Sequence, residues 1–202
     1  MRRNVRARLG AVAVASAFFA AGAANSQPAV DFVPASPAHE YAAREYRAIW
    51  AQYGERIVAS LEARTCLRFP EARVIAVVGD EGSHSGGPAH AMSLRAGYPP
   101  SVKQSTLVHE LGHRHLWQLT ERLDGVDGHR TLFLILDLVW ADVWGAKFAD
   151  YRVAGESGWV GDYDYRAAWT FVRARPAERA RLWNELLRRN GLPGDCAGPA
   201  RP

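Results

Sequence analysis

The spacing of hydrophobic residues predicts that most of this chain is helical. From His39 to about Ala63, the apolar side chains return to one broad face of a helix. The members of that face are Tyr41, Ile49, Trp50, Tyr53, Ile57, Val58 and Leu61. Two C-terminal patterns, around residues 168–172 and 177–187, are also helical, and we interpret the arginines of the second pattern as a solvated face. These arginines are Arg179, Arg181, Arg188 and Arg189.

A small sheet is predicted between the first helix and the middle of the chain. Residues 73–78 form a continuous β-branched run between Pro70 and Gly79, which is typical of a buried strand. Residues 89–98 alternate weakly and suit an edge strand, and the glycine-rich residues 79–88 suit a loop. The predicted fold is therefore α+β, mostly helical with a small sheet.

Residues 129–151 are the most apolar segment after residue 24, and they are too long for a strand. We predict one central buried helix with Asp127 as its N-cap. Asp137 and Asp142 lie within it, and a carboxylate in such surroundings needs a cation, a hydrogen-bond donor or access to water.

The N-terminal residues 1–24 have the pattern of a secretory signal peptide. Four arginines precede an apolar run, and small residues follow it. We expect a periplasmic or secreted protein, with an extended segment at 25–38 and a single domain at 39–202. The net charge of the whole chain is +4, and these four arginines account for all of it, so composition does not indicate nucleic-acid or membrane binding after signal removal. The oligomeric state is not indicated.

Cys66 and Cys196 are the two cysteines of the chain. In an exported protein, such a pair favours a disulfide that ties the C-terminal tail to the end of the first helix. Two unpaired thiols are the alternative. The absence of a Cys-x-x-Cys motif argues against a thiol redox site or a cysteine-ligated zinc site.

The chemistry of the chain is concentrated in the segment Leu107-Val-His-Glu-Leu-Gly-His113. Ser105 and Thr106 are predicted to cap a helix here. On that helix, His109 and His113 project from one face a turn apart, where two imidazoles can hold one zinc ion. Glu110 lies beside them, within reach of a water held by the metal.

This arrangement, His109-Glu110-Leu111-Gly112-His113, resembles the H-E-x-x-H motif of the zincin metallopeptidases. The resemblance implies a compact zincin-like domain, a Zn²⁺ cofactor and a third ligand that follows the motif in the chain. It also implies an edge strand that binds the substrate main chain, here near residues 92–94.

In zincins with a helical third ligand, an acidic residue completes the site, and the resemblance therefore points to Asp137 or Asp142. We do not expect the two to bind the same metal, because they lie about 140° apart around a helix. We favour Asp142, which shares a stripe with small residues. The segment Trp140-Ala-Asp-Val-Trp-Gly145 approximates the D-x-x-Y-G element of aspzincins, the zincins with an Asp as third ligand, but its glycine falls one residue early. The E-x-x-x-D element of gluzincins, whose third ligand is a Glu, is missing.

His129 is another candidate for the site, either as the third ligand or as a donor to the oxyanion. An equal alternative is that His129 is a surface histidine without a role in the site. His84 and His90 flank the glycine-rich loop, and either would be a fourth ligand in a purely structural site.

The function predicted from these residues is zinc-dependent hydrolysis of peptide bonds, with Glu110 as general base and a peptide or protein as substrate. One alternative is an exported zinc-binding or scaffold protein without activity. Another is a metal hydrolase that acts on a non-peptide amide or ester. The sequence does not indicate the preferred side chains of the substrate.

Overall fold

A computed structural model describes residues 27–199, and it confirms an α+β fold in which helices dominate. The predicted signal peptide at 1–24 lies outside the described residues. The six α-helices of the described part are α1 (Glu40–Thr65), α2 (Pro100–Leu116), α3 (Gly128–Trp144), α4 (Ala146–Ser157), α5 (Tyr165–Arg173) and α6 (Arg179–Arg189). Short 3-10 turns precede α1 and α6, at Pro37–His39 and Pro176–Glu178. No helix within residues 27–199 is long and apolar enough to cross a membrane.

The sheet has four strands in the order β1 (Ala29–Pro34), β2 (Arg73–Gly79), β4 (Met92–Arg95) and β3 (His84–Ser85). Strands β1, β2 and β4 run parallel to one another, whereas β3 pairs antiparallel with β4. The central strand β2 confirms the predicted buried strand, because Val74, Ala76 and Val78 are fully buried on the face toward the helices.

Two predictions about the sheet are wrong. Residues 29–34, interpreted as part of an extended segment before the domain, form β1 and pair along their whole length with β2. The predicted edge strand is in fact internal, since β4 lies between β2 and β3. The edge next to β4 is β3, which falls in the segment interpreted as a loop, and β1 is the opposite edge.

Helix α2 begins earlier than predicted, and this changes the surroundings of the motif. Pro99 is the N-cap in an extended conformation, and Pro100 takes the first helical position, where its missing N–H costs nothing. Ser105 and Thr106 are therefore buried inside the helix, and their predicted capping role is wrong. The motif consequently lies in the second half of α2.

Helices α2 and α3 approach closely at Gly112. A Cβ atom at Gly112 would lie 2.5 Å from Cδ1 of Leu132, so only glycine fits here without displacement. This close packing places the first turn of α3 against the last turns of α2. It is the fold's main contribution to the site, because His129 belongs to that first turn.

The central apolar helix is confirmed as buried, but it ends sooner than predicted. Gly145 has φ +91°, a conformation that L side chains rarely adopt, and it separates α3 from α4. The prediction of one helix over 129–151 is therefore wrong. Because the chain changes direction at Gly145, α4 packs against α3 and α5. Its side chains also reach α2, where Arg152 Nε donates to Ser105 Oγ at 2.8 Å.

The disulfide between Cys66 and Cys196 is confirmed, with a Cα–Cα distance of 5.8 Å. It joins the end of α1 to the C-terminal tail, across a sequence separation of 130 residues. In the chain-entropy account, closing a loop of this length stabilises the folded state by about 5 kcal/mol.

Candidate metal centre

Three histidines converge where α2 meets the start of α3. The ring nitrogens of His109, His113 and His129 lie within 4.8 Å of one another. The Nε2 atoms of His109 and His113 are 3.1 Å apart. Two nitrogens that each lie about 2.0–2.1 Å from one tetrahedral zinc ion would be roughly 3.3 Å apart, so the pair is spaced for a single ion. The donor set therefore fits zinc.

Groups just before α3 and around the start of α5 surround His129. Asp127, the N-cap of α3, accepts hydrogen bonds from the backbone N–H of Arg130 at 2.9 Å and from the Tyr163 hydroxyl at 2.8 Å. The Tyr163 ring packs against the imidazole of His129 at 4.2 Å between centroids. The Tyr165 hydroxyl lies 3.4 Å from His129 Nε2. His129 is thus fixed by its surroundings.

Electrostatics keep two of the three imidazoles neutral. Burial and the neighbouring His109 and His129 hold the pKa of His113 well below its usual value. Burial, together with His109, lowers the pKa of His129 to about 4. Because a metal ligand must offer a free lone pair, neutral imidazoles at neutral pH are in the form that binds an ion.

His109 is held by a carboxylate that sequence analysis missed. Glu156 Oε1 on α4 lies 3.4 Å from His109 Nδ1, and Trp169 Nε1 donates to Oε2 of the same carboxylate at 3.1 Å. Burial alone would lower the pKa of His109, but the charge and hydrogen bond of Glu156 raise it overall. A proton held on Nδ1 leaves Nε2, the atom facing His113, free for a metal.

Replacing Glu156 by Gln is therefore expected to weaken zinc binding by roughly 10–100-fold, since the carboxylate orients the ligand and increases its basicity. Competition with a chromophoric chelator measures the zinc Kd. Glu185→Gln is the matched control, because Glu185 lies on α6 and forms ion pairs with Arg188 and Arg189 at the surface. Equal zinc affinity in Glu156→Gln and wild type would contradict the role of Glu156.

Glu110 shares a pocket with the three histidines. The pocket has a volume of about 270 Å³, and Ser83, His84, Ser85 and Tyr165 complete its lining. Burial raises the pKa of Glu110 to about 7, although the nearby His109 and His84 oppose this rise. A carboxylate with such a pKa is suited to both accept and return a proton near neutral pH.

Tyr165 is the second residue that sequence analysis missed at this site. Its hydroxyl faces His129, and its ring lines the pocket. Burial raises the pKa of Tyr165 to about 12, so the phenol stays protonated and can donate a hydrogen bond at neutral pH.

The structure does not bring Asp142 to the histidines, which corrects the preferred third ligand. Its Oδ2 accepts hydrogen bonds from Ser60 Oγ at 2.6 Å and from Arg64 Nε at 2.8 Å, both on α1. Arg64 Nη2 also donates to Oδ1 at 2.6 Å. The carboxylate thus joins α1 to α3 and is neutralised by a guanidinium.

Asp137, the other acidic candidate, is also outside the cluster. Arg179 Nη1 and Nη2 donate to its two oxygens at 2.8 and 3.2 Å, and Arg173 Nη2 lies 3.6 Å away. Arg179 is 1% exposed, so the interpretation of this arginine as solvated is wrong. A bidentate ion pair explains how a charged side chain is retained in the core.

The two loop histidines have separate positions. His84 lies in β3 and lines the pocket, but its ring is not among the nitrogens of the three-histidine cluster. The backbone carbonyl of His90 accepts from Arg114 Nη1 at 2.9 Å. Among the described residues, no fourth His, Cys, Asp or Glu joins the cluster.

Comparison of the chain with protein-family models, with curated proteins and with solved structures finds no match.

Proposed function

We propose that this chain is an exported zinc-dependent peptidase in which His109, His113 and His129 hold the ion and Glu110 is the general base. The observation that carries the proposal is the convergence of three imidazoles beside a buried carboxylate in one open pocket. Zinc bound by three imidazoles supplies a Lewis acid and lowers the pKa of water to about 7.

The chain's own groups divide the remaining work. Glu110 removes a proton from the attacking water as the oxygen of that water bonds to the substrate carbonyl carbon. It then passes that proton to the nitrogen of the leaving amine as the C–N bond breaks. The hydroxyl of Tyr165 donates to the carbonyl oxygen, which gains negative charge during the attack. The proposed role of His129 is that of a ligand, in place of the oxyanion donor considered from the sequence.

The sheet edge supports a peptide as substrate. Strand β3 borders the pocket through His84 and Ser85, and it pairs on one side with β4. Its other side is the edge of the sheet within the described residues, where an extended peptide can add as a strand. Residues 92–94, to which sequence analysis assigned this role, are one strand further from that edge.

Two observations support the remaining parts of the proposal. The cluster contributes three ligands from the described residues, which leaves a coordination position for water as in catalytic rather than structural zinc sites. The disulfide suits an oxidising compartment, in agreement with the predicted signal peptide.

The test is metal removal and return on the chain beginning at residue 25 with its disulfide intact. We expect one zinc per molecule, cleavage of a mixed library of internally quenched peptides, loss of cleavage with a chelator, and recovery with added zinc. One zinc per molecule without cleavage of any peptide would favour the non-catalytic zinc-binding alternative. Chelator-sensitive cleavage of esters alone would favour the non-peptide hydrolase.

A further inference from the structure

A second pocket, walled by aromatic rings, adjoins the histidine site. It has a volume of about 460 Å³ and is lined by Tyr98, by residues of the loop between α4 and α5, and by Tyr165. Tyr165 also lines the pocket that holds the three histidines. The two pockets are therefore neighbours that share one side chain.

The ring geometry makes the wall of this pocket continuous. Trp159 stacks beside Tyr98, with centroids 6.2 Å apart and planes 24° apart. The edge of Trp159 meets Tyr165 at 5.6 Å and 79°. Tyr163 in turn meets Tyr165 at 5.1 Å and 81°. These four residues form an aromatic pocket beside the histidine site.

The loop keeps apolar surface exposed beside the pocket. Trp159 is 38% exposed, and the adjacent Val160 is fully exposed. The lining therefore includes exposed apolar side chains, which a bound ligand would remove from water. Among the described residues that line this pocket, Asp162 is the single acidic one, and it is itself exposed.

We propose that the aromatic pocket binds an aromatic side chain of the substrate close to the cleaved bond, and that Trp159 determines this preference. The inference rests on the proposed peptidase function. The volume lies in the range of small-ligand sites, and rings that meet at offset or perpendicular angles provide favourable partners for a further ring. The carboxylate of Asp162 disfavours an acidic side chain. The shared Tyr165 places the pocket next to the reacting carbonyl.

The experiment compares two quenched peptides that differ only by Phe or Ala beside the scissile bond. Wild type is expected to cleave the Phe peptide with roughly 10–100-fold higher kcat/KM, the effect of burying one large apolar side chain. Trp159→Ala is expected to reduce this ratio to below about threefold, mainly through KM, and Trp159→Phe to restore most of it. Tyr41→Ala, an exposed aromatic on α1, is the matched control and should keep the wild-type ratio.

Binding is measured as well, so that this inference and the peptidase function fail separately. Calorimetry with the zinc-loaded Glu110→Gln variant should show the same preference for the Phe peptide, whether or not wild type cleaves it. Cleavage with no preference for Phe, or a preference unaffected by Trp159→Ala, would overturn the inference and leave the peptidase proposal standing. Tighter binding of a Lys peptide than a Phe peptide would also overturn it, because the rings and Asp162 would then form a cation site. If neither peptide binds, the pocket is not a subsite.

Discussion

Replacing Glu110 by Gln is expected to lower kcat by roughly 10²–10⁴-fold while the protein still holds one zinc per molecule. The amide has nearly the same shape as the carboxylate but does not accept a proton from water at neutral pH. Glu110 is 6% exposed and lines the pocket beside His109 and His113. No other carboxylate among the described residues lines this pocket, so none can replace Glu110 as the base. Initial rates on a cleavable peptide and elemental analysis measure the two quantities.

Glu55→Gln is a matched control for this experiment, because it removes the same charge from an exposed position on α1. It should leave both turnover and zinc content at the wild-type level. A Glu110→Gln variant that is as active as wild type would exclude Glu110 as the base. A variant that loses zinc would show that the carboxylate acts on the ion itself.

The part of the site that lies within one helix was predictable from the sequence. His109, Glu110 and His113 belong to α2, and their relative positions follow from helical geometry alone once the segment is helical. The error in the start of α2 left these positions unchanged. A motif of this kind is therefore robust to mistakes of several residues in the helix boundary.

The third histidine and its supports depend on how helices pack, which the pattern does not encode directly. The choice of Asp142 as third ligand assumed one helix over residues 129–151. Because the chain turns at Gly145, Asp142 and the small residues that follow it do not share one helical stripe. The same turn brings Glu156 back to His109. A signal for Glu156 did exist, since Ala149, Arg152, Val153 and Glu156 follow a buried helical repeat that includes two charged residues.

The sheet errors have a different cause. β1 has six residues, but Phe32 is the only buried one, so the strand shows no alternating pattern, and β3 has only two residues. By contrast, β2 was predictable because its β-branched run is flanked by Pro70 and Gly79. The two edge strands, of which β3 borders the pocket, were therefore the least predictable part of the sheet.

Replacing His129 by Ala is expected to weaken zinc binding by more than 100-fold, beyond the effect of losing a carboxylate partner of a ligand. His129 supplies one of three ligand nitrogens, and His109 and His113 alone complete only half of a tetrahedral site. Its side chain is packed between Tyr163 and Tyr165, so circular dichroism and thermal unfolding should accompany the measurement of zinc Kd.

Asp142→Asn tests which residue is the third zinc ligand, because Asp142 is the ligand that the sequence favoured in place of His129. Its carboxylate accepts from Ser60 and Arg64, so the amide is expected to weaken the contact between α1 and α3 and to lower Tm by about 2–4 °C, the shift for a loss near 1 kcal/mol in a chain of this size. Zinc affinity should remain that of wild type. The opposite pair of results, zinc lost in Asp142→Asn and retained in His129→Ala, would restore the acidic ligand and refute the three-histidine site.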